Sequence, residues 1–223
     1  MYKINNISKK FFAQSWKNLF LVNKRKYSLA LDGISLNIPK TGIVGVWGEN
    51  GSGKSTLMKV ISGLLKQDAG VVDETLVINS SYISGNDRSF FWRLTVKQNI
   101  FFFGTLYGLK ENEIKKKLHS LAVDFGIHDQ LNSQFMVLSS GNKKKVSIIR
   151  SLLKPKSVLL FDEISTSLDQ KTKLTLLDKI SKIGSKSLIF WSTHDEAELK
   201  KISNHIIHLE DGKLLNFYGT HLE

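Results

Sequence analysis

Ile43-Val44-Gly45-Val46-Trp47-Gly48-Glu49-Asn50-Gly51-Ser52-Gly53-Lys54-Ser55-Thr56 reads as an apolar run, a glycine-rich turn and the first turn of a helix. A strand-length run feeding such a turn and then a helix is the context that the phosphate-loop pattern G-x-x-x-x-G-K-[S/T] requires. The glycines open backbone angles closed to other residues. The N–H groups of Gly48, Glu49, Asn50, Gly51, Ser52 and Gly53 can then face inward around phosphate oxygens. The helix N-terminus adds unsatisfied donors and the positive end of its dipole. In this pattern Lys54 reaches the β- and γ-phosphates, the Ser55 hydroxyl ligates Mg²⁺ and Thr56 adds an α-phosphate contact. A chance glycine-rich turn is the bland alternative, and it has to bring strand, glycines, Lys-Ser and helix into register by accident.

A second apolar run, Val158-Leu159-Leu160-Phe161, ends in Asp162-Glu163. Carboxylates at the end of a buried parallel strand lie at the carboxyl edge of the sheet, where open α/β folds bind ligands. Asp162 is placed to hold Mg²⁺ through water, and Glu163 to polarise the attacking water as general base. Otherwise the two would only cap the following loop.

Around these runs, the chain's 223 residues, 41% of them hydrophobic, suffice for one α/β domain spanning residues 1–223. The first 40 residues read as short strands and turns, a β portion preceding Gly42. Helix is expected from about Lys54 to Leu64 and strand over Val71–Ile78. A helical block at about 86–155 reads as a subdomain inserted between nucleotide-type strands. A helix at Gln170–Ile183, a strand at Ser187–Trp191, another helix and a hairpin at Asp211-Gly212 follow. The expected fold is α/β, with a mostly parallel sheet and helices on both faces.

The net charge of +12 comes mainly from lysine. Ile114, Leu118, Leu121 and Phe125 form a helical apolar stripe, and Lys115 to Lys117 fall off it. Glu111 with Lys115 and Glu113 with Lys117 have the polarity of favourable helical pairs. That pattern reads as solvated surface more than a nucleic-acid face. The chain contains no cysteine and no apolar run near the roughly 20 residues of a membrane-spanning helix. A place in the cytoplasm, or on the cytosolic side of a membrane, is expected.

Leu138-Ser139-Ser140-Gly141-Asn142-Lys143-Lys144-Lys145-Val146 narrows the field. It resembles the Leu-Ser-Gly-Gly-Gln signature of ABC transporter ATPases, with Ser140 for glycine and Asn142 for glutamine. Ser139 opening a helix beside Gly141 makes an anion site from hydroxyl, N–H groups and dipole. The resemblance implies that Ser139, Ser140, Gly141 and Asn142 close over ATP held by another subunit. It continues in order along nearly the whole chain. Ser165-Thr166-Ser167-Leu168-Asp169 resembles the D-loop at the dimer seam, with Ile164 where proline is usual. Ser192-Thr193-His194-Asp195 resembles the switch segment, which implies that His194 contacts the γ-phosphate and Glu163. Tyr27, with Phe12 second, is assigned the adenine-stacking role, worth about 1 kcal/mol. The Q-loop glutamine is absent, and Asn86 or Gly85 takes its region, Asn86 being preferred for its amide. His205 and His208, an odd number apart on a strand, face opposite ways and make a poor metal pair.

The resemblance implies a nucleotide-binding subunit of a P-loop NTPase fold that uses ATP and Mg²⁺. It would work as a dimer of the same or related chains beneath a transmembrane permease, without nucleic acid. Phe90 to Val96 and Asn99 to Gly108 look like the ATPases of exporters. Val96, Ile100, Phe103 and Tyr107 form a stripe that can bury a helix against its own domain. Phe101, round from that stripe, and Phe90-Phe91-Trp92 are then either covered by neighbouring helices or left to receive the membrane subunit. The alternative function is an ATPase of the same type acting on the ribosome or nucleic acid, whose members usually carry two cassettes or a coiled-coil insertion. A P-loop kinase is discounted by the signature.

Overall fold

The computed structural model describes residues 1–12, 27–84 and 89–220. Its strands are β1 (Tyr2–Phe12), β2 (Tyr27–Ile38), β3 (Gly42–Trp47), β4 (Ala69–Val72), β5 (Ser80–Ser84), β6 (Val158–Asp162), β7 (Leu188–Ser192), β8 (His205–Glu210) and β9 (Lys213–Gly219). Its helices are α1 (Lys54–Ile61), α2 (Glu74–Ile78), α3 (Val96–Leu106), α4 (Glu111–Asp124), α5 (Ser140–Leu153), α6 (Gln170–Gly184) and α7 (Glu196–Ile202).

A six-stranded sheet runs β5-β6-β7-β3-β8-β9, parallel except for β9, and a three-stranded antiparallel sheet runs β2-β1-β4. Strands β6 and β7 are buried on both faces, so each reads as an unbroken apolar run. Alternation divides the core. Val44, Val46, Leu160 and Phe190 pack with α1 and the antiparallel sheet. Ile43, Leu159, Phe161, Ile189 and Trp191 pack with α3 to α7. Helices α3, α4 and α5 lie in sequence between β5 and β6, which are neighbours in the sheet. The carboxyl ends of β3, β6 and β7 thus converge, bringing together segments more than 100 residues apart.

Two elements differ from the sequence reading by more than one residue. The strand expected over Val71–Ile78 stops at Val72, because Asp73 accepts the Thr75 N–H at 2.9 Å and caps α2. Helix α1 ends at Ile61, before Gly63 at φ 72°. The hairpin falls where expected, with Asp211 and Gly212 both at positive φ in a two-residue turn between β8 and β9.

The apolar stripe of α4 is buried at Ile114, Leu118, Leu121 and Phe125. Lys115 pairs with Glu111 at 2.6 Å, an exposed contact worth a few tenths of a kcal/mol. Lys117 does not meet Glu113. It donates to the Leu153 carbonyl at 2.6 Å, near the end of α5 where carbonyls lack helical partners. Glu113 instead accepts the Lys110 N–H at 2.9 Å.

Candidate functional site

A cavity of about 280 Å³ opens at the carboxyl end of β3, lined by Ala30, Asn50, Gly51, Gly53, Lys54, Ser55, Thr56 and Glu163. Two glycines shape it. Gly48, at φ 148°, would place a Cβ 2.2 Å from the Leu209 carbonyl oxygen. Gly53, at φ 103°, would place one 2.6 Å from the Ala30 carbonyl oxygen. Neither position accepts a side chain without moving backbone. The hairpin braces the loop from outside, since Gly212 N–H donates to the Ser52 carbonyl at 3.1 Å and Asp32 N–H to the Gly212 carbonyl at 2.8 Å.

Lys54 is buried, and its ammonium donates to the carbonyls of Gly48 at 2.7 Å and Glu49 at 2.9 Å. Glu163 Oε1 stands 3.9 Å from the same nitrogen. The loop's own carbonyls therefore tether the cation at the cavity mouth, facing a carboxylate. Such an ammonium can meet a phosphate without reorganising the chain.

Asp162 is buried at the end of β6. The Tyr82 hydroxyl donates to its Oδ2 at 2.5 Å and the Ser192 hydroxyl to its Oδ1 at 2.7 Å. Burial first, and then the bond to Asp162, holds the Tyr82 phenol well above its usual range, so it stays a donor. Glu163 follows at φ 49°, an uncommon conformation for a residue with a side chain. Its N–H is held by Ser192 twice, by the hydroxyl at 3.0 Å and the carbonyl at 3.3 Å. A half-exposed carboxylate fixed in this way can take a proton from water in the cavity.

Ser139 caps α5, accepting the Asn142 N–H at 3.3 Å, and Asn142 donates its amide to Gln130 at 2.8 Å. Ser139 and Ser140 are exposed, and none of Ser139, Ser140, Gly141 and Asn142 lines the cavity. The turn containing Ser167 leads through Leu168 to Asp169, which caps α6 by accepting the Thr172 N–H and hydroxyl. Those bonds, with Lys145 at 3.0 Å, hold the Asp169 carboxyl far below the usual carboxylate range. Lys144 donates to Thr166 at 3.1 Å, and burial pushes its ammonium down against the opposing pull of Glu163.

His194 follows β7 and is exposed. Tyr27 is also exposed, with the Lys10 ammonium 4.8 Å from its ring centre. In the β1–β2 register Tyr27 opposes Phe12 and Ser28 opposes Phe11. Those pairs put Tyr27 with Phe12 on one face and Ser28 with Phe11 on the other, and the register then shifts at Ala30, between Leu29 and Leu31. Asn86 and Gly85 lie outside the described residues.

The aromatic segment also sorts differently. Phe90 is buried, while Phe101 and Phe103 pack against the core under α3. Phe91, Trp92 and Phe102 are exposed, with Phe102 edge-on to Phe91 at 4.8 Å, and Leu106 lies bare further along α3. No helix among the described residues is long and apolar enough to cross a membrane.

A family model described as ABC transporter matches residues 31–166. The ABC transporter ATP-binding protein NatA of Bacillus subtilis is 31% identical over 204 residues, covering 86% of this chain and 83% of NatA. The methionine import ATP-binding protein MetN of the same organism is 31% identical over 204 residues, covering 83% of this chain but 59% of MetN. Among solved structures, a dimeric post-hydrolysis ATP-binding cassette with ADP and phosphate superposes with a TM-score of 0.82 over 99% of both chains. At 21% identity that likeness speaks for the fold. With a family model spanning the phosphate loop and both carboxylates, and NatA alike over most of its length, the chain belongs to the ABC transporter family, as an ATP-binding and ATP-hydrolysing subunit.

Proposed function

We propose that two such chains sandwich two ATP molecules and drive a transmembrane partner from the cytosolic face of the membrane. The observation that carries this reading is the placing of Ser139 to Asn142 on a capped helix end outside the chain's own cavity. Nucleotide met by that end belongs to another subunit. Lys54 holds the β- and γ-phosphates, Glu163 is the general base and His194 approaches the γ-phosphate on closure. The D-loop through Ser167, Leu168 and Asp169 lies along the seam.

Ser55 and Asp162 would hold Mg²⁺. Their donors are all oxygen, and the Asp162 carboxylate keeps lone pairs beyond the two hydroxyls it accepts. That donor set suits an ion bound by one or two carboxylates, water and phosphate. Bound Mg²⁺ supplies charge neutralisation at the phosphates. The chain's residues do the rest, Lys54 by orienting phosphate and Glu163 by holding the proton of the attacking water.

Phe11, which pairs with Ser28 two residues from cavity-lining Ala30, is assigned to the adenine ahead of Tyr27. Base–aromatic stacking is worth about 1–3 kcal/mol by alanine substitution. Phe11→Ala should therefore weaken ATP binding about 5- to 100-fold in calorimetric titration, and Tyr27→Ala should not. The reverse result restores Tyr27.

Phe91, Phe102 and Leu106 form the docking surface for the membrane subunit, with Trp92 at its edge. Exposed aromatics are the anchors expected of such a contact. Phe102→Ser with Leu106→Ser should keep the melting temperature and basal ATPase of the isolated chain, while co-purification with the co-expressed membrane protein is lost. Normal assembly would refute the surface, and unfolding would show it to be core. Phe101→Ser would probe the core instead, because Phe101 packs inward.

Export is the direction read from Phe90 to Gly108. Import is favoured by a specific observation, the likeness to MetN, which is named for methionine import. Inside-out vesicles carrying the assembled complex separate the two, since ATP fills them with cargo in export and empties them in import.

A further inference from the structure

The hydroxyls around Asp162 come from both flanking strands. In the β6–β7 register Asp162 lies opposite Ser192, and in the β5–β6 register it lies opposite Ser84. Tyr82 stands two residues back on β5, the diagonal position from which a long side chain reaches its neighbour. Alternation puts Tyr82, Asp162 and Ser192 on one face of the sheet. That is the face of Leu160 and Phe190, against which α1 packs and from which Lys54 rises. One carboxylate is thus gripped from two sides, by Tyr82 at Oδ2 and by Ser192 at Oδ1.

The Ser192 hydroxyl has a second task. While donating to Asp162 it accepts the Glu163 N–H at 3.0 Å. The same oxygen therefore sets the direction of one carboxylate and the backbone of the next, at the residue with φ 49°. The Tyr82 ring has packing of its own, against the core on the α1 face and 6.0 Å from the Lys59 ammonium. Its place does not depend on the hydroxyl, so the hydroxyl can be removed alone.

We propose that Tyr82 and Ser192 are positioning residues of the ATPase site, Tyr82 acting through Asp162 only and Ser192 through Asp162 and Glu163 together. The inference rests on the reading that Asp162 holds the divalent ion. Partners that orient a metal-holding group typically change metal affinity or activity about 10- to 100-fold when removed. With Asp162 freed on one side, the cost falls on ion binding. With the Glu163 N–H left to the Ser192 carbonyl alone, at 3.3 Å, the chemical step suffers as well.

The test titrates Mn²⁺ onto the ADP-loaded chain by electron paramagnetic resonance, beside steady-state hydrolysis at varied Mg²⁺. Tyr82→Phe should weaken Mn²⁺ about tenfold or more and raise half-saturating Mg²⁺ similarly, with kcat at saturating Mg²⁺ within about twofold. Ser192→Ala should weaken Mn²⁺ and also lower kcat about tenfold at saturating Mg²⁺, and Ser192→Thr should restore both. Asp162→Asn is the reference. If it binds Mn²⁺ like the wild type, the metal reading fails and takes this inference with it. If Asp162→Asn loses Mn²⁺ while Tyr82→Phe and Ser192→Ala titrate normally, only the positioning inference falls. Should Tyr82→Phe lower the melting temperature too far to titrate, the Ser192→Ala and Ser192→Thr pair decides alone, and failure of the threonine to rescue overturns the proposal.

Discussion

Glu163→Gln should lower ATP turnover about 100-fold or more without weakening nucleotide binding. The amide keeps the shape of the side chain but cannot take a proton from water. Binding is spared because the phosphate contacts come from the loop and Lys54. The geometry of the site adds a further expectation. Glu163 lies 3.9 Å from the Lys54 ammonium and competes with any arriving phosphate for it. Neutralising Glu163 removes that competitor, so ATP affinity should equal or exceed the wild-type value. The substituted chain should therefore accumulate an ATP-bound dimer, seen as an earlier peak in size-exclusion chromatography. Lys54→Ala should do the opposite, losing affinity itself because Lys54 is the one cation lining the cavity among the described residues. Wild-type turnover in Glu163→Gln would remove Glu163 from the chemistry.

The parts of this site that the sequence disclosed are those where one short segment carries both the geometry and the chemistry. Gly48 to Thr56 is such a segment, and so is Val158 to Glu163. Their strands are buried on both faces, which leaves an apolar run that is hard to misread. What stayed hidden depends on which strand lies beside which. Tyr82 and Asp162 are 80 residues apart, and only the β5–β6 register brings one hydroxyl to the other carboxylate. Choosing among Phe11, Phe12 and Tyr27 for the adenine likewise needs the pairing of β1 with β2. Helix α3 shows a limit of periodicity. Its stripe is real, with Val96 and Ile100 fully buried. Phe101 is off that stripe yet covered, while Phe102 is bare, because the extent of cover depends on neighbouring elements that a helical wheel does not include. The run Val71 to Ile78 was misread for a local reason, an aspartate whose carboxylate competes for backbone N–H groups and turns the chain into α2.

Phosphate loop and signature should complement each other across the dimer. Consider tethered pairs in which one chain carries Lys54→Ala and the other Ser139→Arg. One composite site then has both lesions, and the other has an intact Lys54 facing an intact Ser139. Placing both substitutions on one chain, opposite a wild-type partner, damages each site once. The count of lesions is the same and only their distribution differs. If the two chains worked independently, the arrangements would bind ATP alike. The proposed sandwich excludes independence, and it rests on Ser139 capping a helix whose exposed end does not line its own chain's cavity. Arginine there puts bulk where the hydroxyl and helix N–H groups would meet phosphate, and it forfeits a cap worth about 1 kcal/mol. The divided pair should thus keep one tight ATP site and hydrolyse about tenfold faster or more than the pair with both lesions on one chain. Thermal melts of both pairs check that they fold equally well. Equal affinity and equal rates in two well-folded pairs would dismiss the sandwich.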